Sequence, residues 1–360
     1  MDTATPRRSP IRSTGTAPER KRGLLLLVAV VAAVAATLAV AVEPSQATYQ
    51  AKNGRIAFRR YFDDAHHRSA IFTINPDGTG ERQVTHPPKG FVDDQPDWSP
   101  DGALLAFTRC VPDHLCSVYV VNADGTGLRR VSPPCPGNAE PPKCEDDTNV
   151  TFLPDGRHVA FTRSTGRVRE WRDWGQIQHS DVVVSDLNGG HRRVVLRSGE
   201  YRADYNFAYF SPDGKRFVYE RANSPLAQPP LHRALFVASA DGSGDHRITP
   251  WALDAGDNPD WSPDGHWIVF RTRVSSDRNC SIAVVHPDGS GLRQLANYGA
   301  RANMRSATFS PDGRWIVFAT DRGKGTNPAV YVMRVDGTDV RRVTSSTLWD
   351  SAADWGPAAS

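Results

Sequence analysis

Beyond residue 47 this chain of 360 residues has no net charge. The formal excess of three positive charges sits in the first 47 residues, where Arg7, Arg8, Arg12, Arg20, Lys21 and Arg22 outnumber Asp2, Glu19 and Glu43. No basic field is left to hold a phosphate backbone, so nucleic acid is excluded as a partner. The chain also lacks a nucleophile elbow, a phosphate loop and a His-Glu-x-x-His sequence, which removes the best-known catalytic signatures. Long apolar runs are missing except at residues 23–42, "GLLLLVAVVAAVAATLAVAV", 20 residues without a charge. Such a run is long enough to cross a bilayer as a helix, and the Arg/Lys cluster ahead of it keeps residues 1–22, a basic tail with no foldable pattern, in the cytoplasm. Two readings stay open. The run is a retained single-pass anchor in the cell membrane, or it is a signal segment cleaved after Ala47, since Ser45-Gln-Ala47 has the small-x-small form of a processing site. Either one sends the remainder outside the cytoplasm, through a linker at residues 43–52.

Cysteine is scarce, with five residues. Cys110 and Cys116 flank a short loop, Cys135 and Cys144 bracket a proline-rich one, and Cys280 is left over, so two local disulfides are expected in an oxidising compartment. Five unpaired buried thiols are the alternative. Glycine and proline are plentiful instead, 29 and 27 residues, and a chain this rich in turns is β-rich.

What the chain has above all is an internal repeat. Asp97-Trp-Ser-Pro-Asp-Gly102 recurs as Phe152-Leu-Pro-Asp-Gly156, Phe210-Ser-Pro-Asp-Gly214, Trp261-Ser-Pro-Asp-Gly265 and Phe309-Ser-Pro-Asp-Gly313, each followed by a strand-like run such as "LLAF" or "WIVF". A second motif interleaves with it, as in "NPDGTGERQVT" from Asn75 and "NADGTGLRRVS" from Asn122. It has six copies against five complete copies of the first. The missing front half is the C-terminal "SAADWGP", and the missing back half is Asn53-Gly-Arg-Ile-Ala-Phe58. A repeat divided between the two ends means that the ends meet. Residues 350–356 are expected to supply the innermost strand of the first sheet, beside residues 55–60, because an open strand edge would otherwise invite aggregation.

This pattern resembles the TolB-like propeller repeat, a relative of the WD-type blades, over residues 53–357. The resemblance implies an all-β fold: a six-bladed β-propeller of four-stranded antiparallel blades, closed by the C-terminal strand and preceded by one N-terminal hydrophobic helix. The stretch between Val42 and the first blade leaves no room for the separate α/β domain of TolB, so TolB's own partners do not carry over. Some TolB-like propellers are metal-dependent polysaccharide lyases. His66, His67, His86, His114, His179 and His232, all in expected loops, are the residues to watch for that chemistry.

Hairpin order sorts the loops onto two faces. The Pro-Asp-Gly and Asp-Gly turns share one face and are short and uniform, whereas the remaining connections vary and share the other. Variable loops on a rigid scaffold are where binding is placed. The longest, residues 164–180, carries Trp171, Arg172 and Trp174, which form either a contact surface or a lid folded over the neighbouring groove. Residues 133–149 form the next longest. Ahead of the six repeated aromatics Trp98, Phe152, Phe210, Trp261, Phe309 and Trp355 stand Asp94, Asp147, Asp204, Asp257, Asn303 and Asp350. Six oxygen-bearing side chains at one channel mouth can hold a hard cation such as Ca²⁺, or a cationic group of a partner. For a metal the candidates are Asp94, Asp257, His67 and His86. The other reading is that each aspartate ties down its own crossover loop. The expected function is a monomeric, extracytoplasmic binding module for a protein or cell-envelope glycan, with a metal-dependent lyase as the alternative.

Overall fold

The computed structural model describes residues 51–111, 115–133, 145–166, 177–197, 205–222, 232–274, 279–296, 304–322 and 326–359. The expected hydrophobic helix at residues 23–42, the tryptophans 171 and 174 with Arg172, the second cysteine pair 135 and 144, and Asp204 and Asn303 lie outside them. Among the described residues no helix is long and apolar enough to cross a membrane, and a single short 3-10 turn, Trp251–Leu253, is the sole helical element.

Strands account for the rest, in groups of four that hydrogen-bond in one repeated order. The first group is Asp350–Pro357, Asn53–Tyr61, Ser69–Ile74 and Arg82–Gln83. Next come Val92–Trp98, Leu104–Cys110, Cys116–Asn122 and Arg129–Arg130, followed by Asp146–Phe152, His158–Gly166, Ile177–Asp186 and Arg193–Leu196. The remaining groups are Tyr205–Phe210, Arg216–Ala222, Arg233–Ser239 and His246–Arg247; Gly256–Trp261, Ile268–Val274, Asn279–Val285 and Arg293–Ala296; and Met304–Phe309, Trp315–Thr320, Ala329–Arg334 and Arg341–Arg342. All pairings within a group are antiparallel. Separate sheets were expected throughout, but the first two groups are continuous, making one eight-stranded sheet beside four four-stranded ones. A single parallel pair, Ser69 with Val92, joins them, and beside it the Ser69 hydroxyl donates to the Asp93 carbonyl at 2.7 Å.

The ends meet as the divided repeat requires. Ile56 pairs with Trp355, Ala57 with Asp354 and Arg60 with Asp350. The core crosses this seam as well: Ile56, Phe58 and Phe72 share one apolar cluster with Val317, Val330 and Val332 of the last group and with Trp355. Elsewhere the repeated aromatics pack between neighbouring groups, Trp98 for instance lying against Ala57 and Ile71 on one side and Leu105 and Phe107 on the other. The second strand of every group buries at least one large ring completely: Phe58, Phe107, Phe161, Phe217 with Tyr219, Phe270 and Phe318. Each such burial stabilises by about 2–3 kcal/mol.

The turn face is built as the motif dictates. In Ser99-Pro-Asp-Gly102 the Asp101 carboxylate accepts the Ser99 hydroxyl at 2.6 Å and the Ala103 amide at 3.0 Å, while Gly102 takes φ +70°, a conformation that costs a glycine nothing. The Ala123 amide donates to the Ala103 carbonyl, so the two kinds of turn lie side by side at one end of that group, as they also do at Ala240 with Lys215 and Val335 with Arg314. The connections of variable length fall at the opposite end. There Cys110 and Cys116, paired in register, form the expected disulfide, and Cys280 is a buried free thiol. The disulfide closes a loop of only a few residues, so replacing both cysteines with serine is expected to cost no more than about 2 kcal/mol, read by urea denaturation. A loss far above that would show that the bridge does more than close its hairpin.

Candidate functional site

One feature of the innermost strands has no signature in the sequence. Three residues before each repeated aromatic, the backbone turns left-handed at a non-glycine residue: Ala352, Gln95, Asn149, Phe207, Asn258 and Ser306 have φ between 43° and 63°. Register shifts against the neighbouring strand coincide with these positions, so every innermost strand carries a β-bulge. A bulge bends its strand and re-aims the side chains on either side of it. Those toward the loops and those toward the turns therefore make two separate sets.

On the loop side the expected ring of aspartates divides. Five residues before the aromatic, Asp350, Asp93 and Asp147 are buried, and each binds an arginine of the adjacent strand through two hydrogen bonds. Arg60 reaches Asp350 at 2.7 and 2.9 Å, Arg109 reaches Asp93 at 2.5 and 2.8 Å, and Arg163 reaches Asp147 at 2.8 and 3.0 Å. Burial opposes the charge of Arg60, but its bonds to Asp350 and Glu81 outweigh that and raise its pKa. Forked, desolvated pairs of this kind fix register and leave no free acid. One position nearer the aromatic stand Asp94, Thr148, Asn206, Asp257, Arg305 and Ser351. Arg59 spans two of them, donating to Asp94 and to the Ser351 hydroxyl, while Arg271 lies 3.1 Å from Asp257. The sequence reading thus placed residues of two unlike positions, Asp350 and Asp147 in one and Asp94 and Asp257 in the other, in a single ring. Mixed spacing of four to six residues was the warning, since a one-residue slip in a strand reverses the side-chain face.

Around Arg59 and Arg305 the loop-side mouth is aromatic. Tyr61 stacks on His66 at 4.2 Å, and both meet the Trp349 ring edge-on. The Arg59 guanidinium lies over Tyr61 at 4.4 Å and that of Arg305 over Trp349 at 5.0 Å. Burial, then Arg59, lower the His66 pKa and keep this imidazole neutral. His67 and His86 are exposed, and among the described residues no group of three or more His, Cys, Asp or Glu is placed to hold a metal ion.

On the turn side a cavity of about 210 Å³ lies on the axis, lined by residues of all six innermost strands, among them Trp98, Phe152, Phe210, Trp261, Phe309 and Trp355, with prolines of the turns around its rim. Asp97, Asp260 and Asp354 line it too. Each accepts the backbone amide of the aromatic on the next innermost strand: Asp354 from Trp98 at 2.8 Å, Asp97 from Phe152 at 2.6 Å, Asp260 from Phe309 at 2.7 Å. Two of the other boundaries are stitched from the same position, by Thr151 to the Ala208 carbonyl and by Thr308 to the Ala353 carbonyl, and the third by the indole of the aromatic Trp261 to the Tyr209 carbonyl. Burial dominates the chemistry of these acids. It pushes Asp260 up to about 8 and Asp354 to about 6, and it raises Asp97 well above the usual carboxylate range, with Asp354 adding repulsion. The three aspartates were visible as Asp-Trp pairs within the repeats, but nothing in the sequence said that this position faces the axis.

No family model matches the sequence, nor does any curated protein. Among solved structures, the chain is similar to TolB from Acinetobacter baumannii, with 19% identity and a TM-score of 0.64 over 84% of this chain and 67% of that one. It is similar to a chain of a nidogen/laminin complex, with 11% identity and a TM-score of 0.61 over 84% and 98%. An oligogalacturonate lyase from Vibrio parahaemolyticus follows at 12% identity, with a TM-score of 0.51 over 82% and 80%. With its ring of antiparallel four-stranded units closed by the last strand, the chain has the β-propeller fold of TolB.

Proposed function

We propose that this chain is a six-bladed propeller acting outside the cytoplasm as a binding module, which holds a partner protein at the loop-bearing mouth of its channel. The blade count follows from the six repeated strand groups, the eight-stranded sheet being two blades touching through a single residue pair. The observation that carries the reading is the difference between the two ends. At the turn end the aspartates are spent on stitching neighbouring strands. At the loop end arginines stacked on tyrosine and tryptophan surround the channel, the residue types in which binding energy concentrates at protein interfaces. The described chain also enters at the turn end, where Ala51 borders the cavity and the Lys52 carbonyl accepts the Ala358 amide. The nidogen/laminin complex, whose name states a protein partner, supplies a fold precedent for this use.

Photo-crosslinking from single positions tests the proposal. A benzophenone side chain at exposed Thr347, in the loop before the closing strand, is expected to capture one discrete protein in the native envelope, whereas one at exposed Lys215 on the turn face captures none. Equal capture from both ends, or capture from Lys215 alone, removes the loop end as the working surface.

A further inference from the structure

Of the six side chains that stand four residues before the repeated aromatics, five are acidic or neutral, and Arg305 is the exception. The other two guanidiniums at this mouth have carboxylate partners, Arg59 with Asp94 and Arg271 with Asp257. Arg305 has neither an ion pair nor a hydrogen bond among the described residues, and its contact is the face of Trp349 at 5.0 Å. Asp257 attracts it, but that charge already serves Arg271, and Arg271 and Arg59 both repel it. With the Arg233–Glu220 pair that also acts on Arg271, four cations therefore face three anions, and Arg305 is the one in excess. Burial, with Arg271 and Arg59 adding to it, lowers the Arg305 pKa, the direction expected of a cation with no compensating anion. The buried Nε atoms of all three arginines also lack acceptors. Desolvating a guanidinium without pairing it is costly, and a single carboxylate supplies both the missing charge and the acceptors.

Building on the binding role above, we propose that Arg305, held flat on Trp349, is a carboxylate-recognition site that takes an acidic side chain of the partner protein. The neighbouring aromatics favour a peptide occupant. Trp349, Tyr61 and His66 form a wall of rings beside the one unmatched charge, suited to an acidic residue followed by an apolar one.

Titration of the full chain in mild detergent tests this, with the Trp349 indole N–H followed by NMR and assigned through Trp349→Phe. The probes are hexaglutamate, its uncharged counterpart hexaglutamine, a galacturonate oligomer and inorganic phosphate. Hexaglutamate is expected to shift the indole signal and hexaglutamine to leave it unmoved. Arg305→Gln is expected to weaken hexaglutamate binding by about ten- to a hundredfold, Arg305→Lys by less because charge is kept while the planar fork is lost, and Arg82→Gln on an outermost strand not at all. Should Arg305→Gln melt early, the Lys variant carries the comparison. Binding of hexaglutamate that ignores residue 305 overturns the inference. So does a site that prefers phosphate, or one that takes the uronate oligomer and refuses the peptide. If Thr347 still captures its protein in the Arg305→Gln chain with undiminished yield, the inference falls while the binding role stands.

Discussion

A chain ended at residue 348 is expected not to fold. Deleting residues 349–360 removes the innermost strand of the first group, which pairs with Asn53–Tyr61. Trp355 is 6% exposed, and losing a buried ring of that size costs about 3–5 kcal/mol on its own. Asp350 goes with it, leaving Arg60 with only the rim residue Glu81, a further loss of the kind that reaches about 3–5 kcal/mol when one partner of a buried pair is removed. Together these approach or exceed the ~5–15 kcal/mol that holds a whole domain. Circular dichroism and urea denaturation of the truncated chain check it, beside Trp355→Ala, which keeps the strand and is expected to lose only the first contribution. A truncated chain that melts like the intact one would mean that the seam is closed by something else.

The second large effect is a dependence on pH. The Asp260 carboxyl, raised by burial to about 8 against an ordinary value of 3.8, is more easily protonated in the folded chain than in the unfolded one. A raised folded pKa means stability that is complete below about pH 4 and lost as pH climbs toward 8, on the order of 5 kcal/mol for a shift of this size. Asp354, raised to about 6, adds to the loss in the lower part of that window. Asp260→Asn keeps an oxygen to accept the Phe309 amide while removing the charge. It is expected to match the parent chain at pH 4 and to be clearly more stable at pH 8, with a flatter profile between, by chemical denaturation at each pH. A variant weaker than the parent at both values would show that this carboxylate is needed in its charged form.

How much of this could be read beforehand depended on repetition. The divided motif specified the closing strand almost to the residue, because Trp355 and Ile56 each needed the other half of a unit found intact five times elsewhere. The two faces followed from turn chemistry, in which Pro-Asp-Gly and Asp-Gly dictate short links at one end. The candidate site was harder. A bulge in each innermost strand rests on residues as different as Ala352, Gln95 and Phe207, so the conformation repeats while the sequence does not. Without the bulge, neither the separation of Asp93 from Asp94 nor the axial placement of Asp97, Asp260 and Asp354 can be derived. Arg305 was legible only as a departure from a sixfold position that had first to be located. The loop tryptophans 171 and 174, prominent in the sequence, fall outside the described residues, and the mouth is defined instead by Trp349, Tyr61 and His66.

The channel has two distinct ends only because the last strand completes the ring. Native-state hydrogen exchange at the amides of Asp354 and Trp355 tests that most directly. The account predicts that they exchange only with global unfolding, as slowly as the amides of Ile56 and Phe58 beside them and with the same response to denaturant. Exchange within seconds at these two positions while Phe58 stays protected would contradict it.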